Sequence, residues 1–284
     1  MEVDAALERL GGVSDRPALL ALVTRRQLDR ALQRGVVVRA AHSLYVLPAT
    51  DEAAIAARRL HGVVSHLSAA LAWGWKVKEV PPRPVVTVAR NRHPRRDGSV
   101  DVRYANLGES DRSGDRTSPQ RTALDCARSL PFDAALAVVD SALRSGQVGR
   151  AQLEAAAIAG PRTGRARALR VVRAATPNAA NPFESVLRAI ALEVPGLRVV
   201  AQGPVGDVWH ADLADLELKI AIEAESFEFH ALPEAFRHDV RRYTDMTRLG
   251  WLVVRFVWED VMHRPSYVQR VLVEVVRMRI ATAA

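Results

Sequence analysis

A chain of 284 residues with 49% hydrophobic and 25% charged residues has ordinary soluble globular composition and is long enough for two or three domains. Its single cysteine, Cys126, excludes an internal disulfide and a cysteine-rich zinc site. The net charge of +8 and pI near 10.4, carried by arginine with only three lysines (Lys76, Lys78, Lys219), point to an anionic partner, nucleic acid first, although a GC-rich genome gives the same skew.

No window reaches the uncharged apolar length of a membrane span, and the start MEVDAALERL lacks the basic and apolar runs of a secretion signal. The expectation is a cytoplasmic chain with no membrane partner.

Residues 1–50 read as a small winged helix-turn-helix. Asp4 to Leu10 forms a first helix stopped by Gly11-Gly12. Asp15 caps a second, to Val23, with Pro17 in its first turn. Thr24 and Gln27 make a T-x-x-Q capping box for a third helix, which Gly35 ends. Its stripe of Leu28, Ala31 and Leu32 faces inward, leaving Arg25, Arg26, Arg30, Gln33 and Arg34 outside. Val36 to Arg39 and Ser43 to Leu47 follow as two short strands, the wing. A basic helix followed by a wing is the geometry that enters a DNA major groove, although such folds also serve as protein-contact modules. The stretch GVVVRAAHSLYVLP resembles the N-terminal domain of AbiEi-type antitoxins, with Ser43-Leu44 where that family often has glycine before the tyrosine. That resemblance implies DNA-binding autoregulation, with a cognate toxin protein as a further partner.

Residues 51–176 form a mixed α/β middle region. Helices are expected over Glu52 to Leu60 and Ser65 to Trp73, and strands over Pro84 to Ala89 and Val100 to Tyr104 around the basic loop Arg90 to Arg96. A helical region begins near Thr117 and runs to about Ala157. His66 beside Ser65 and Ser68 has no placed acid partner, so capping by Ser65 is the better account than catalysis. Arg121 and Asp125, four apart on one helix, read as a local ion pair. Arg90, Arg92, Arg95 and Arg96 with His93 form the strongest basic cluster outside the N-terminus: a solvated loop, or a grip on phosphates.

Gly160 to Asn181 is rich in Gly, Pro and Arg and marks the boundary before a last domain, 177–284. Asn181-Pro182 opens a helix over Phe183 to Leu192 with Glu184 in its first turn, where the helix dipole and Arg188 four residues on are sufficient partners. Asp207 to His230 reads as a β-hairpin turning at Ala214-Asp215. Strand alternation sends Leu218, Ile220, Ile222 and Ala224 one way and Glu217, Lys219, Ala221, Glu223 and Glu225 the other. Glu223 and Glu225 then lie roughly 7 Å apart on one face, with Asp212 across the hairpin. Such a face is most often solvated; alternatively, clustered carboxylates attract a hard cation such as Mg²⁺. Asp239, Arg241 and Arg242 fall on a following helix, ahead of a strand from Gly250 to Trp258.

The order of these features, NPFES with Glu184, Asp212 on a strand, Glu223 and Glu225 on the next, His230, then Asp239-x-x-Arg242 and LGWLVVRF, resembles the very-short-patch-repair-like endonuclease domain (DUF559) of the PD-(D/E)XK superfamily, over Pro182 to Arg279. The resemblance implies a restriction-endonuclease-like α/β domain and hydrolysis of DNA phosphodiester bonds with Mg²⁺ or Mn²⁺. It implies Asp212 and Glu223 as metal ligands, Glu225 as a third ligand or base, Glu184 as accessory acid and His230 in proton transfer; Arg241, Arg242 and Arg255 are candidates for phosphate contact, with pairing to an acid at the core edge as the alternative for Arg255. Two departures stand out: Glu225 replaces an aspartate and Ser226 a glycine. The whole chain thus reads as an α+β, α/β multidomain protein. Two functions compete, a metal-dependent endonuclease delivered by a winged helix and a non-catalytic regulator that kept the fold; dimerisation is open.

Overall fold

The computed structural model describes residues 2–10, 12–41, 44–47, 51–95, 98–225 and 233–283, the side chains of 41, 233–236 and 283 excepted. The chain is mixed α and β, and it folds as two compact units, Met1–Gly74 with Val80–Asp125, and Trp75–Glu79 with Cys126–Ala284.

The first unit begins with helices α1 (Val3–Arg9), α2 (Arg16–Leu20) and α3 (Arg25–Gln33) and strands β1 (Val13–Asp15), β2 (Val38–Ala41) and β3 (Leu44–Val46). The strands pair antiparallel in the order β1-β3-β2. Strand β1 was not expected: three residues carry no periodicity, and their partner β3 lies far along the chain. Asp15 and Thr24 cap as expected. Ala18 N donates to Asp15 Oδ1 (2.9 Å), and the Thr24/Gln27 box closes at both ends. Ser65, the expected cap of the helix that starts at His66, instead makes no capping bond: its hydroxyl accepts from Thr87 Oγ1 at 2.8 Å and lies 3.0 Å from His66 Nδ1. Leu28 and Ala31 enter a core with Leu7, Leu19 and Tyr45, while Arg25, Arg26, Arg30, Gln33 and Arg34 are exposed.

The unit continues through α4 (Glu52–Arg59), β4 (Val63–Val64), α5 (His66–Ala72), β5 (Val85–Val88), β6 (Asp101–Tyr104), β7 (Arg112–Ser113), β8 (Arg116–Thr117) and α6 (Pro119–Ser129), inside which the division between units falls. The strands form one sheet in the order β6-β5-β4-β8-β7. Arg121 Nε reaches Asp125 at 2.8 Å, the expected i,i+4 pair.

The second unit carries α7 (Phe132–Arg144), α8 (Arg150–Ala159), α9 (Arg165–Ala174), α10 (Pro182–Ala191), β9 (Val200–Val205), β10 (Trp209–Asp215), β11 (Ile220–Glu225), α11 (Pro233–Arg248), β12 (Leu252–Val257), α12 (Trp258–His263) and α13 (Pro265–Ala283). The sheet runs β12-β11-β10-β9, with β9, β10 and β11 an antiparallel meander and β12 returning parallel to β11 across α11. Ile220 and Ile222 pack with Leu187, Phe256 and Leu272 on one face, while Ala221 packs with Met246 and Trp251 on the other. Interior strands covered on both faces are buried throughout. The outward face expected for β11 is therefore not solvated, and Glu223 is 2% exposed.

The expected boundary at 176/177 does not divide these contacts. Helix α7 packs on α10 through Asp140, which accepts two bonds from Arg188 Nη2 at 2.8 and 2.7 Å and one from Ser185 Oγ at 2.8 Å. Trp75 also belongs here, buried with its Nε1 donating to Gln147 Oε1 at 2.8 Å.

Candidate functional site

The carboxylates meet because the sheet register puts them in one row. The Leu213–Ile222 pair sets the next residues, Asp212 and Glu223, face to face across β10 and β11. On the other side, between the Ala211–Gly203 and Leu213–Ala201 pairs, Asp212 faces Gln202. Gln202 holds left-handed backbone at φ 50°. Gly203 after it lets β9 close on β10, since a Cβ there would lie 2.4 Å from the Ala214 Cβ. Strained non-glycine residues cluster at sites whose surroundings hold them.

Gln202 Nε2 donates to Asp212 Oδ1 at 3.2 Å and to Glu184 Oε2 at 3.3 Å, joining α10 to β10. Glu184 is 5% exposed and accepts further bonds from Ala180 N (2.8 Å) and Asn181 Nδ2 (2.9 Å); Asn181 caps the helix through Glu184 N. Burial pushes the Glu184 carboxyl above its ordinary range. Arg188, the expected partner of Glu184, is instead turned to Asp140. Asp212 Oδ2 accepts from Ala224 N at 2.8 Å, which fixes its carboxylate against β11.

Glu223 is the most perturbed of the set. Burial, with the charge of Asp212 next and against the pull of Arg242, pushes its carboxyl up to about 8. Arg242 Nη2 lies 3.2 Å from Glu223 Oε2, while buried Oε1 has no hydrogen-bond partner among the described residues. Protonated, Glu223 can donate to Asp212; ionised, Oε1 is an orphan acceptor beside a second carboxylate. A cation relieves both conditions.

Glu225 departs from the expectation of a third ligand. Its Oε1 accepts from Arg255 Nε at 2.7 Å and from the Tyr243 hydroxyl. The reason is the parallel pairing of Glu223 with Arg255, which brings a guanidinium from β12 beside the Glu225 carboxylate, while Tyr243 comes down from α11. Arg242 and Arg255 both stack on the Tyr243 ring, at 4.8 and 4.2 Å from its centroid. Among the described residues no group of three or more His, Cys, Asp or Glu is gathered to hold a metal unaided. Asp212 and Glu223 remain the fitting pair, because Mg²⁺ is commonly held by one or two carboxylates with substrate phosphates completing the shell.

The other expected residues fall as follows. Arg241 is exposed on α11, whereas Arg242 on the same helix is turned toward Glu223. Lys219 sits in the turn before β11 at φ 51° and reaches Leu249 O, away from the acids. Asp215 is not the hairpin corner but its brace: β10 runs through it, and its carboxylate accepts from Arg198 N, Glu217 N and Leu218 N. His230 and Ser226 lie outside the described residues. Gln202 and Tyr243 were missed. The only mark of Gln202 was a polar side chain beside glycine ahead of an acidic strand.

No family model matches the chain. Two proteins of Mycobacterium tuberculosis are similar to it, "Uncharacterized protein MT2308" of strain CDC 1551 / Oshkosh and "Uncharacterized protein Rv2248" of strain ATCC 25618 / H37Rv. Each is 28% identical over 254 residues, covering 86% of this chain and 94% of the relative. Among solved structures, the RV2827C protein of Mycobacterium tuberculosis aligns with 67% of this chain and 79% of its own, at 14% identity and a TM-score of 0.37. Among the described residues no helix is long and apolar enough to cross a membrane.

Proposed function

We propose that the chain is a metal-dependent endonuclease that hydrolyses DNA phosphodiester bonds at the Asp212–Glu223 site, brought to DNA by a winged helix formed by α1–α3 and β1–β3. The observation that carries this reading is the orphan Oε1 of buried Glu223 facing Asp212, on a helix–meander–helix–strand frame with Glu184 joined in through Gln202. The order α10, β10, β11, α11, β12 follows the order of features on which the endonuclease resemblance rests, with β9 as a further strand that the resemblance did not include.

Asp212, Glu223 and the Ala224 carbonyl would hold Mg²⁺ or Mn²⁺, which when bound supplies charge stabilisation at the scissile phosphate and an acidified water. Glu184 and Gln202 keep Asp212 aimed at Glu223. Arg242 offsets carboxylate charge and stands ready to meet a phosphate oxygen. Glu225 holds Arg255 and Tyr243 in place and does not act as base.

A second reading, a non-catalytic DNA-binding regulator, is favoured by one observation: Glu225 is engaged by Arg255 and Tyr243, so the acidic set is smaller than the resemblance implies. The two readings separate on purified protein given supercoiled, linear, mismatched and single-stranded DNA with Mg²⁺ or Mn²⁺, beside Asp212→Asn and Glu223→Gln. Metal-dependent cutting lost in both variants is expected. If wild type and variants bind DNA alike and none cuts, the nuclease reading fails and the regulator stands.

A further inference from the structure

The antiparallel register of β4 on β5 sets Val63 opposite Thr87 and Val64 opposite Val86, so the residues entering β4 run beside those leaving β5. This brings the end of α4 to the loop after β5, two segments distant in the chain. Arg59, His61, Arg92, His93 and Arg95 there line one cavity of about 680 Å³, with Leu60 and Pro94 as its apolar floor. All five basic side chains are exposed, and among the described residues no carboxylate lines the cavity.

The cavity is held in shape. Arg90 N donates to Asn106 Oδ1 at 3.1 Å and Arg92 N to Ala89 O at 3.0 Å, which fixes the root of the loop. Arg59 Nη2 donates to Ser99 Oγ at 2.8 Å on the facing side. Helix α4 closes with bonds from Gly62 N to Ala57 O (2.8 Å) and His61 N to Arg58 O (3.1 Å), a closure that ordinarily places glycine left-handed just past the helix. Here that residue is His61, at φ 50°. Glycine is reserved for the next position, where a Cβ would come within 2.6 Å of Thr87 O. A histidine kept at the strained position, with its ring at an arginine-lined cavity, fits a ligand role better than a structural one.

We propose that this cavity is a further nucleic-acid contact that grips the phosphodiester backbone, separate from α3 and from the carboxylate site. Arginine forks match phosphate oxygens bidentately, and the lining among the described residues is basic and apolar. Among the described residues no phenyl or indole ring lines the cavity for bases to stack on, so the contact is to the backbone and independent of sequence. The proposal does not rest on catalysis.

The test is titration of the full chain, in EDTA so that nothing is cut, against labelled duplex DNA, single-stranded DNA and RNA over a range of salt. Arg92→Gln/Arg95→Gln is compared with Arg112→Gln/Arg162→Gln, a control that removes the same charge from exposed positions elsewhere. On duplex DNA the slope of log affinity against log salt is expected to fall by about 0.9 for each phosphate that the cavity variant no longer neutralises, with weaker binding, and to stay near wild type in the control. A loss of affinity for one nucleic acid alone identifies the natural source of the phosphate. His61→Gly should weaken binding while leaving thermal stability equal or higher, which a merely structural histidine would not do. Unchanged binding of all three probes by the cavity variant, or an equal drop in the control, overturns the proposal. Arg26→Gln/Arg30→Gln reports on the winged helix separately.

Discussion

Glu223 makes the second unit sensitive to pH, and the sign follows from its surroundings. Folding raises its carboxyl from 4.5 to about 8, so between those values the native chain holds a proton that the unfolded chain has released. Its contribution to stability is therefore full below about pH 4.5 and is lost progressively as pH rises to about 8. Urea unfolding without metal should show stability falling by roughly 2 to 4 kcal/mol across this window, and Glu223→Gln should flatten the fall. Because Arg242 holds the value down, Arg242→Gln should move the window to higher pH. In the proposed nuclease, a divalent cation held by Asp212 and Glu223 would favour the ionised Glu223 carboxylate and so release the same proton. Calorimetry near neutral pH in buffers of different ionisation enthalpy should then detect proton release on Mn²⁺ addition, absent in Glu223→Gln.

At this scale the sequence was informative about backbone placement and poor about partners. Period-two alternation put Glu223 and Glu225 on one face, and so they are. Which of them meets Asp212 depends on the hairpin register, and which meets Arg255 depends on a parallel strand that returns only after a helix. Gln202 left no pattern because it meets Asp212 through the β9–β10 register, which exists only once the sheet is formed.

Among elements, local chemistry was legible at several helix starts but not at every one: Ser65 does not cap as the sequence suggests, and Asp51 caps α4 through Ala53 N without having been read as a cap. Asp15, Thr24 and Asn181 cap as the sequence indicates, and Thr24→Ala should cost about 1 kcal/mol of stability, measured by denaturant midpoint. Tertiary partners override local ones where both exist. Arg188 had Glu184 four residues before it, yet it pairs with Asp140 on α7, and both members of that pair are buried. Removing one partner strands a buried charge, so Asp140→Ala should destabilise the chain by about 3 to 5 kcal/mol. Asp140→Leu/Arg188→Met, which removes both charges, should lose far less, and a pair of thermal melts distinguishes the two outcomes.

For the whole molecule, composition marks linkers but not which packing crosses them. The Gly-, Pro- and Arg-rich stretch before residue 177 has every local sign of a domain boundary, yet α7 on its near side packs on α10 beyond it. A fragment of residues 177–284 would hold the entire carboxylate row while exposing the α10 face that carries Ser185 and Arg188, with no Asp140 to neutralise the guanidinium. A fragment of residues 126–284 keeps α7 and that ion pair and lacks only the Trp75–Glu79 segment, where Trp75 fills a buried site and Lys78 meets Asp133 at 2.8 Å. The shorter fragment is expected to lose cooperative unfolding, or to unfold at least roughly 3 kcal/mol more easily than the longer one, the cost of one stranded buried charge. Equal, cooperative urea transitions for the two would mean that α7 is dispensable and that the boundary lies where the sequence composition puts it.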